Sequence, residues 1–372
     1  MTSSNQVILP AFADMHVHFR EPGFSYKETI ASGSRAAAAG GFTLVCTMPN
    51  LDPAPDSPET LKTQLDIIRR DAEVRVLPFA TITSGRHGKT LIDYAALAPK
   101  VAGFSDDGSG VQDEEVMEEA MRRIAPTGKI LAAHCEVNDL LRGGYIHDGE
   151  YARRNGHRGI CSESEWREVE RDIKLAEKTG CRLHLCHIST AESVQLVRDA
   201  KKRGVAVTAE TAPHYLMFCD EDLQEEGRFK MNPPLRSRRD LEALREGLVD
   251  GTIDVIATDH APHSADEKNR GLELSAMGVV GLETSFAAVY TTMVLSGLMS
   301  LERLIEVMSI APRRILGLPV AEGDKVTVDL DDEYVVDPSL FISKGRSTPF
   351  EGVTLRGRII ETRLDGKVVY KF

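Results

Sequence analysis

From residue 11 onward the chain alternates eight short β-rich runs with helical patterns, and this alternation constrains the fold more than any other feature. Strands that follow one another in parallel need a crossover long enough to hold a helix, so such a pattern reads as βα units around a parallel sheet. The runs begin near Ala11, Phe42, Val74, Val101, Ile130, Arg182, Val205 and Asp254. Helical spacing of apolar residues fills 27–40, 57–72, 113–125, 162–179, 191–204 and 239–248. Eight such units predict an α/β fold built on a (β/α)8 TIM-like barrel, in which the C-terminal strand ends carry function. The 372 residues leave room for a barrel and a small appendage. Helical stretches at 283–298 and 301–316 follow the last run, and after Pro319 short alternating strands appear at 325–330, 333–336, 358–364 and 367–372. An Asp365-Gly366 turn joins the last two. The expected division is 1–10 as an N-terminal piece of a small β domain, 11–319 as the barrel, and 320–372 as the rest of that domain.

The strand ends carry unusual side chains. His16-Val17-His18-Phe19-Arg20 closes the first run and Thr258-Asp259-His260-Ala261-Pro262-His263 closes the eighth. Two histidines at i and i+2 on a strand share a face, so both imidazoles can reach one metal ion, and an arginine just beyond can hold an anion. An alternating surface strand would also give His-x-His. The other strand ends decide between the two readings, because Asp106-Asp107, His134 and His187 also terminate apolar runs. Six candidate ligands, His16, His18, Asp107, His134, His187 and Asp259, come from five strand ends. The set reads as a metal-dependent hydrolase acting on an acidic substrate.

Composition narrows the partners. A net charge of -12 disfavours nucleic acid and anionic membrane, both of which need a basic surface. One arginine beside a dication can still hold an anionic substrate against that distant average. Cys46, Cys135, Cys161, Cys181, Cys186 and Cys219 form no CxxC pair and are expected as small buried thiols of a reducing compartment. With no signal peptide and no long apolar stretch, a cytoplasmic protein is expected.

In order along the chain, HVHFREPG at 16–23, Met48-Pro49-Asn50, Asp106-Asp107-Gly108, KMNPPLR at 230–236 and DHAPH at 259–263 resemble bacterial dihydroorotases of the amidohydrolase superfamily. The resemblance covers nearly the whole chain. It implies interconversion of L-dihydroorotate and N-carbamoyl-L-aspartate in pyrimidine biosynthesis. It further implies two zinc ions, one held by His16, His18 and Asp259 and the other by His134 and His187. Many relatives bridge the metals with a carboxylated lysine, whereas here Asp107 stands at that strand end. Asp259 is then the acid and base, Arg20, Asn50 and His263 bind the substrate carboxylate, His18 and Asn232 also touch the substrate, and backbone at Met277 and Gly278 closes over it. A homodimer, and aspartate transcarbamoylase as a partner, are expected from the same resemblance.

The remaining polar groups receive plainer readings. Asp106 is expected to cap or support, His184 to face away from the barrel axis, and His260 to orient Asp259, while His214 ends the seventh strand near the site with no ligand position that demands it. His87, His147 and His157 are expected in solvent. Only fifteen residues precede His16, against several dozen in most family members, so the small β domain is expected to be reduced. Two alternatives compete: an allantoinase or hydantoinase, which generally uses the bridging lysine, and a silent homologue serving as a partner of aspartate transcarbamoylase.

Overall fold

The computed structural model describes residues 5–372. In chain order its strands are β1 (Gln6–Pro10), β2 (Phe12–Val17), β3 (Phe42–Thr47), β4 (Arg75–Pro78), β5 (Gly103–Phe104), β6 (Ile130–Ala133), β7 (Ile146–His147), β8 (Gly159–Ile160), β9 (Arg182–Leu185), β10 (Val207–Thr211), β11 (Val255–Ile256), β12 (Lys325–Val335), β13 (Thr354–Leu364) and β14 (Lys367–Lys371). Parallel pairing runs β2-β3-β4 and β5-β6-β9-β10-β11. Parallel bridges Ala80↔Phe104 and Val17↔His260 join the two arcs at both ends. The result is a closed ring of eight parallel strands, a (β/α)8 barrel.

Helices open where the sequence supplies caps. Thr29, Ser57 and Ser237 each form a capping box at the start of Ile30–Ala39, Pro58–Asp71 and Arg238–Asp250. Apolar side chains then divide into two layers. Val17, Val45, Leu131, Leu183 and Leu185 pack outward with helix residues such as Ala36, Met121, Ile173 and Val197. Met15, Cys46, Phe79, Ala102, Ile130, Ala132 and Val255, drawn from separate strands or their flanks, form a second cluster with Ala311 and Ile315. That plug fills the barrel, so the strand ends open above a packed floor. All six cysteines are unpaired and only Cys161 is not buried.

A second, antiparallel sheet in the order β1-β12-β13-β14 lies at the chain's two ends. β1 pairs with β12 from Gln6↔Asp329 to Pro10↔Lys325, while residues 1–4 of the expected N-terminal piece lie outside the described residues. The two strands expected at 325–330 and 333–336 are one strand, β12, with a register shift between Asp329 and Glu333. The expected helices at 283–298 and 301–316 are instead interrupted by wide turns at Tyr290–Val294 and Glu306–Ile310. Among the described residues no helix is long and apolar enough to cross a membrane.

Candidate active site

Asp107 follows the short strand β5 and its carboxylate stands among four imidazoles. Oδ1 lies 3.4 Å from His16 Nε2, 3.5 Å from His134 Nδ1 and 3.4 Å from His187 Nε2, and Oδ2 lies 3.6 Å from His18 Nε2. Asp259, beyond β11, places Oδ1 3.1 Å from His18 Nε2 and 3.5 Å from His16 Nε2. His134 Nδ1 and His187 Nε2 are 3.1 Å apart. All six candidate ligands are buried and meet at one place.

Burial opposes the charged form of both His16 and Asp107, but their mutual attraction, reinforced at His16 by Glu210, prevails. The His16 pKa is held well above the usual imidazole range and that of Asp107 well below the usual carboxylate range. Four atoms of this nest, His16 Nε2, Asp107 Oδ1, His134 Nε2 and His187 Nδ1, are buried without a hydrogen-bond partner. Such atoms are costly to leave unpaired. Imidazole nitrogens and carboxylate oxygens are the donors that zinc-like dications take, so this nest fits a metal.

A rigid frame holds the nest from below. Glu210, on β10, accepts a 2.6 Å bond from His16 Nδ1 and a 3.0 Å bond from His184 Nε2, which leaves His16 Nε2 turned toward Asp107. Asp14 accepts from the backbone amide of His16 at 2.9 Å and from the Thr258 hydroxyl at 2.6 Å, tying the first strand to the eighth. Carboxylates behind metal-binding histidines fix tautomer and ring orientation. Sequence reasoning missed both. The signal was a single acid within each buried strand, Asp14 in Phe12–Val17 and Glu210 in Val207–Thr211.

Asp106 accepts from the amides of Ile82 and Thr83, at 2.7 and 3.2 Å, and from the Thr83 hydroxyl, as a cap. Four histidine expectations are corrected. His184 does not face away from the axis; it lies inside the barrel on Glu210, because β9 ends at Leu185 and the positive φ of His187 (33°) breaks the alternation used to phase it. His260 does not orient Asp259. Its backbone pairs with Val17, and its ring turns the other way, to Glu28 and Ser343. His147 is buried on β7 rather than solvated, and burial lowers its pKa to about 4. His157 is held between the Tyr145 hydroxyl and Glu225, each 2.8 Å away. His87 is exposed. His214 is buried with its ring against Tyr215, its Nε2 lacks a partner, and burial lowers its pKa to about 4 despite the charge of Asp259.

The candidate substrate residues form the rim. Arg20 is buried at φ 49°, a backbone region that L residues avoid, and its Nε donates to Pro262 O at 3.3 Å. Its Nη2 lies 3.4 Å from His263 Nε2. Burial lowers the Arg20 pKa to about 10, so the side chain stays a cation at neutral pH. Asn50 Oδ1 accepts from His18 Nδ1 at 2.9 Å. Asn232 donates to Glu136 Oε1 at 2.9 Å and leaves its own buried Oδ1 unpaired. His263 Nε2 donates to Met277 O at 2.8 Å, and Lys27 Nζ donates to Nδ1 at 3.2 Å. Gly278 has φ 130° and a Cβ there would lie 2.8 Å from Ala261, so glycine is required. Sequence-distant segments thus converge around one opening.

Comparison with known proteins agrees with this geometry. The family described as dihydro-orotase-like matches residues 5–193. A dihydroorotase of Fusobacterium nucleatum is 48% identical over 373 residues, covering 98% of this chain and 88% of that protein. One from Bacillus caldolyticus is 49% identical over 376 residues, with the same 98% and 88% coverage. Among solved structures, the L-hydantoinase (dihydropyrimidinase) of Arthrobacter aurescens superimposes with a TM-score of 0.87 at 25% identity, covering 98% of this chain and 86% of that one. A barrel with buried imidazoles and carboxylates at its strand ends defines a metal-dependent amidohydrolase. Within that class, the chain belongs to the dihydroorotase-like family.

Proposed function

We propose that this chain catalyses the dihydroorotase reaction, the reversible hydrolysis of the cyclic amide of L-dihydroorotate to N-carbamoyl-L-aspartate in pyrimidine biosynthesis. The observation that carries the reading is the pairing of two unlike halves in one opening, Asp107 among four imidazoles beside the cationic Arg20. That pairing occurs in a chain about 48% identical to dihydroorotases over 98% of its length.

His16, His18 and Asp259 would hold one zinc ion and His134 and His187 a second, with Asp107 reaching both. A bound dication pair polarises a carbonyl and lowers the pKa of water. The chain's own residues do the rest. Arg20, with Asn50 and His263, holds the substrate carboxylate, because a planar guanidinium pairs with a carboxylate through two parallel hydrogen bonds. Asn232 and His18 touch the substrate, and the backbone at Met277 and Gly278 covers it. As water adds to the ring carbonyl, the Asp259 carboxylate takes its proton and then returns it to the departing ring nitrogen as the C–N bond breaks. We take 11–319 as the catalytic barrel and 5–10 with 320–372 as the small β domain. We also infer a cytoplasmic homodimer able to meet aspartate transcarbamoylase.

The test is a dihydroorotate assay on the purified chain, with metal analysis of the same sample. Turnover with two zinc ions per chain is expected. Hydrolysis releases one proton, so the end-point ratio should shift about tenfold toward ring opening for each unit of rising pH. Faster hydrolysis of hydantoin or allantoin than of dihydroorotate, or a pH-independent end point, would overturn the assignment.

A further inference from the structure

Three chain segments converge on one buried ammonium that the chemistry above does not use. Lys268 ends the short helix Ala265–Lys268 and is only 4% exposed. Its Nζ donates to Lys230 O at 3.0 Å, Ala276 O at 2.8 Å and Gly278 O at 2.7 Å. These three neutral carbonyls use all the donors an ammonium has. Burying such a charge is unfavourable unless every donor is satisfied, and an apolar side chain of the same length would avoid that penalty.

What the ammonium joins is informative. Lys230 opens the segment that carries Asn232. Ala276 and Gly278 flank Met277, whose carbonyl takes the His263 ring. Further ties run between the same pieces, from Gly278 N to Lys230 O at 3.1 Å, from Ala276 N to Glu267 O at 2.9 Å, and from Ser275 Oγ to Lys268 O at 2.7 Å. The metal-ligand nest, by contrast, hangs on Glu210 and Asp14, and none of its hydrogen bonds named above passes through Lys268.

We propose that Lys268 is a positioning residue for the substrate: its ammonium clamps 276–278 against 230–232 and so fixes Asn232, His263 and the Met277–Gly278 backbone relative to one another. The inference rests on the substrate site proposed above. It concerns binding rather than the reacting atoms, so it separates KM from kcat.

The experiment uses the metal-loaded chain and its Lys268→Met and Lys268→Ala variants. Lys268→Met should raise the KM for dihydroorotate about tenfold or more, with kcat within about threefold of the parent and metal content unchanged. n-Propylammonium, which replaces the atoms removed in Lys268→Ala, should lower that variant's KM, and n-propanol should not. Backbone amide exchange supplies a readout independent of activity. The Ala276 and Gly278 amides should be protected in the parent and exchange faster in both variants. A parental KM in folded Lys268→Met, or rescue by propanol equal to that by propylammonium, would overturn the clamp. If neither variant folds, the parent decides, because unprotected amides at 276 and 278 would also refute it. A parent inactive on dihydroorotate would defeat the proposed function alone and leave the exchange result to judge Lys268.

Discussion

The two halves of the opening are built on opposite electrostatic plans. On the ligand side, Asp107, Asp259 and Glu210 surround imidazoles, and His16 Nδ1 is paired with Glu210 while His16 Nε2, Asp107 Oδ1, His134 Nε2 and His187 Nδ1 have no hydrogen-bond partner. On the rim, Arg20, Lys27 and Lys268 crowd His263, and burial together with those three cations lowers the His263 pKa to about 3. Arg20 and Lys268 find carbonyls there, and Lys27 finds the neutral His263 imidazole and, at 2.9 Å, the Glu267 carboxylate. One half awaits positive charge and the other negative. A chain with a net charge of -12 therefore still holds a site for an anion, because field at a few ångströms outweighs a distant average.

Substitutions should break the halves differently. The largest loss is expected from Asp259→Asn, which should lower kcat by about 10²- to 10⁴-fold, the range of a positioned proton relay. Metal content must be measured in the same sample, and near-normal turnover with full occupancy would remove Asp259 from the acid and base role. Rim substitutions come next. Arg20→Met and His263→Ala should each lower kcat/KM by roughly ten- to hundredfold, about 1.5 to 3 kcal/mol for a charge-assisted contact, with metal retained. If metal were lost from these variants, the division into halves would be wrong. Glu210→Gln should instead weaken metal affinity by about 10- to 100-fold, visible as chelator sensitivity, while KM changes little. A variant with parental metal affinity would make Glu210 a packing residue.

How much of this was legible in the sequence depended on whether a residue acts through local pattern or through distant contact. Strand alternation was readable because the barrel strands are largely buried and the helices at 30–39, 58–71, 114–124, 191–202 and 238–250 start on a Thr, Ser or Asp cap, so the eight runs predicted the ring. His16 and His18 were readable from their period of two, and Asp107 from the motif around it. His184 was misread because the period of two fails where His187 takes a left-handed φ. His260 was misread because its direction is set by the bridge to Val17, some 240 positions away. Glu210 and Asp14 carry no motif, and their side-chain partners, His16 and His184 for one and Thr258 for the other, come from other strands or strand ends. Lys268, in the polar stretch Ala265-Asp266-Glu267-Lys268, looks like a solvated surface residue until the fold brings three carbonyls onto it.

The smallest expected effect sharpens the contrast from the rim. Burial first, and the charge of Lys230 second, lower the Lys268 pKa from its usual 10.5 to about 7. Because the folded pKa lies below the unfolded one, the unfolded chain binds more protons between about pH 7 and 10.5, and stability must rise with pH across that window. Below about pH 7 both states carry the proton and the penalty of burying the charge is complete. Lys268→Met lacks this linkage, so the parent should gain on it by up to about 1.4 kcal/mol for each pH unit within the window. Whatever offset the unpaired carbonyls of the variant add, the slope is the quantity tested. Urea unfolding of both proteins at several values between about pH 6.5 and 9.5 measures it. A stability difference flat with pH would mean that the carbonyl cage compensates the buried charge fully, leaving the rim's clamp charged throughout.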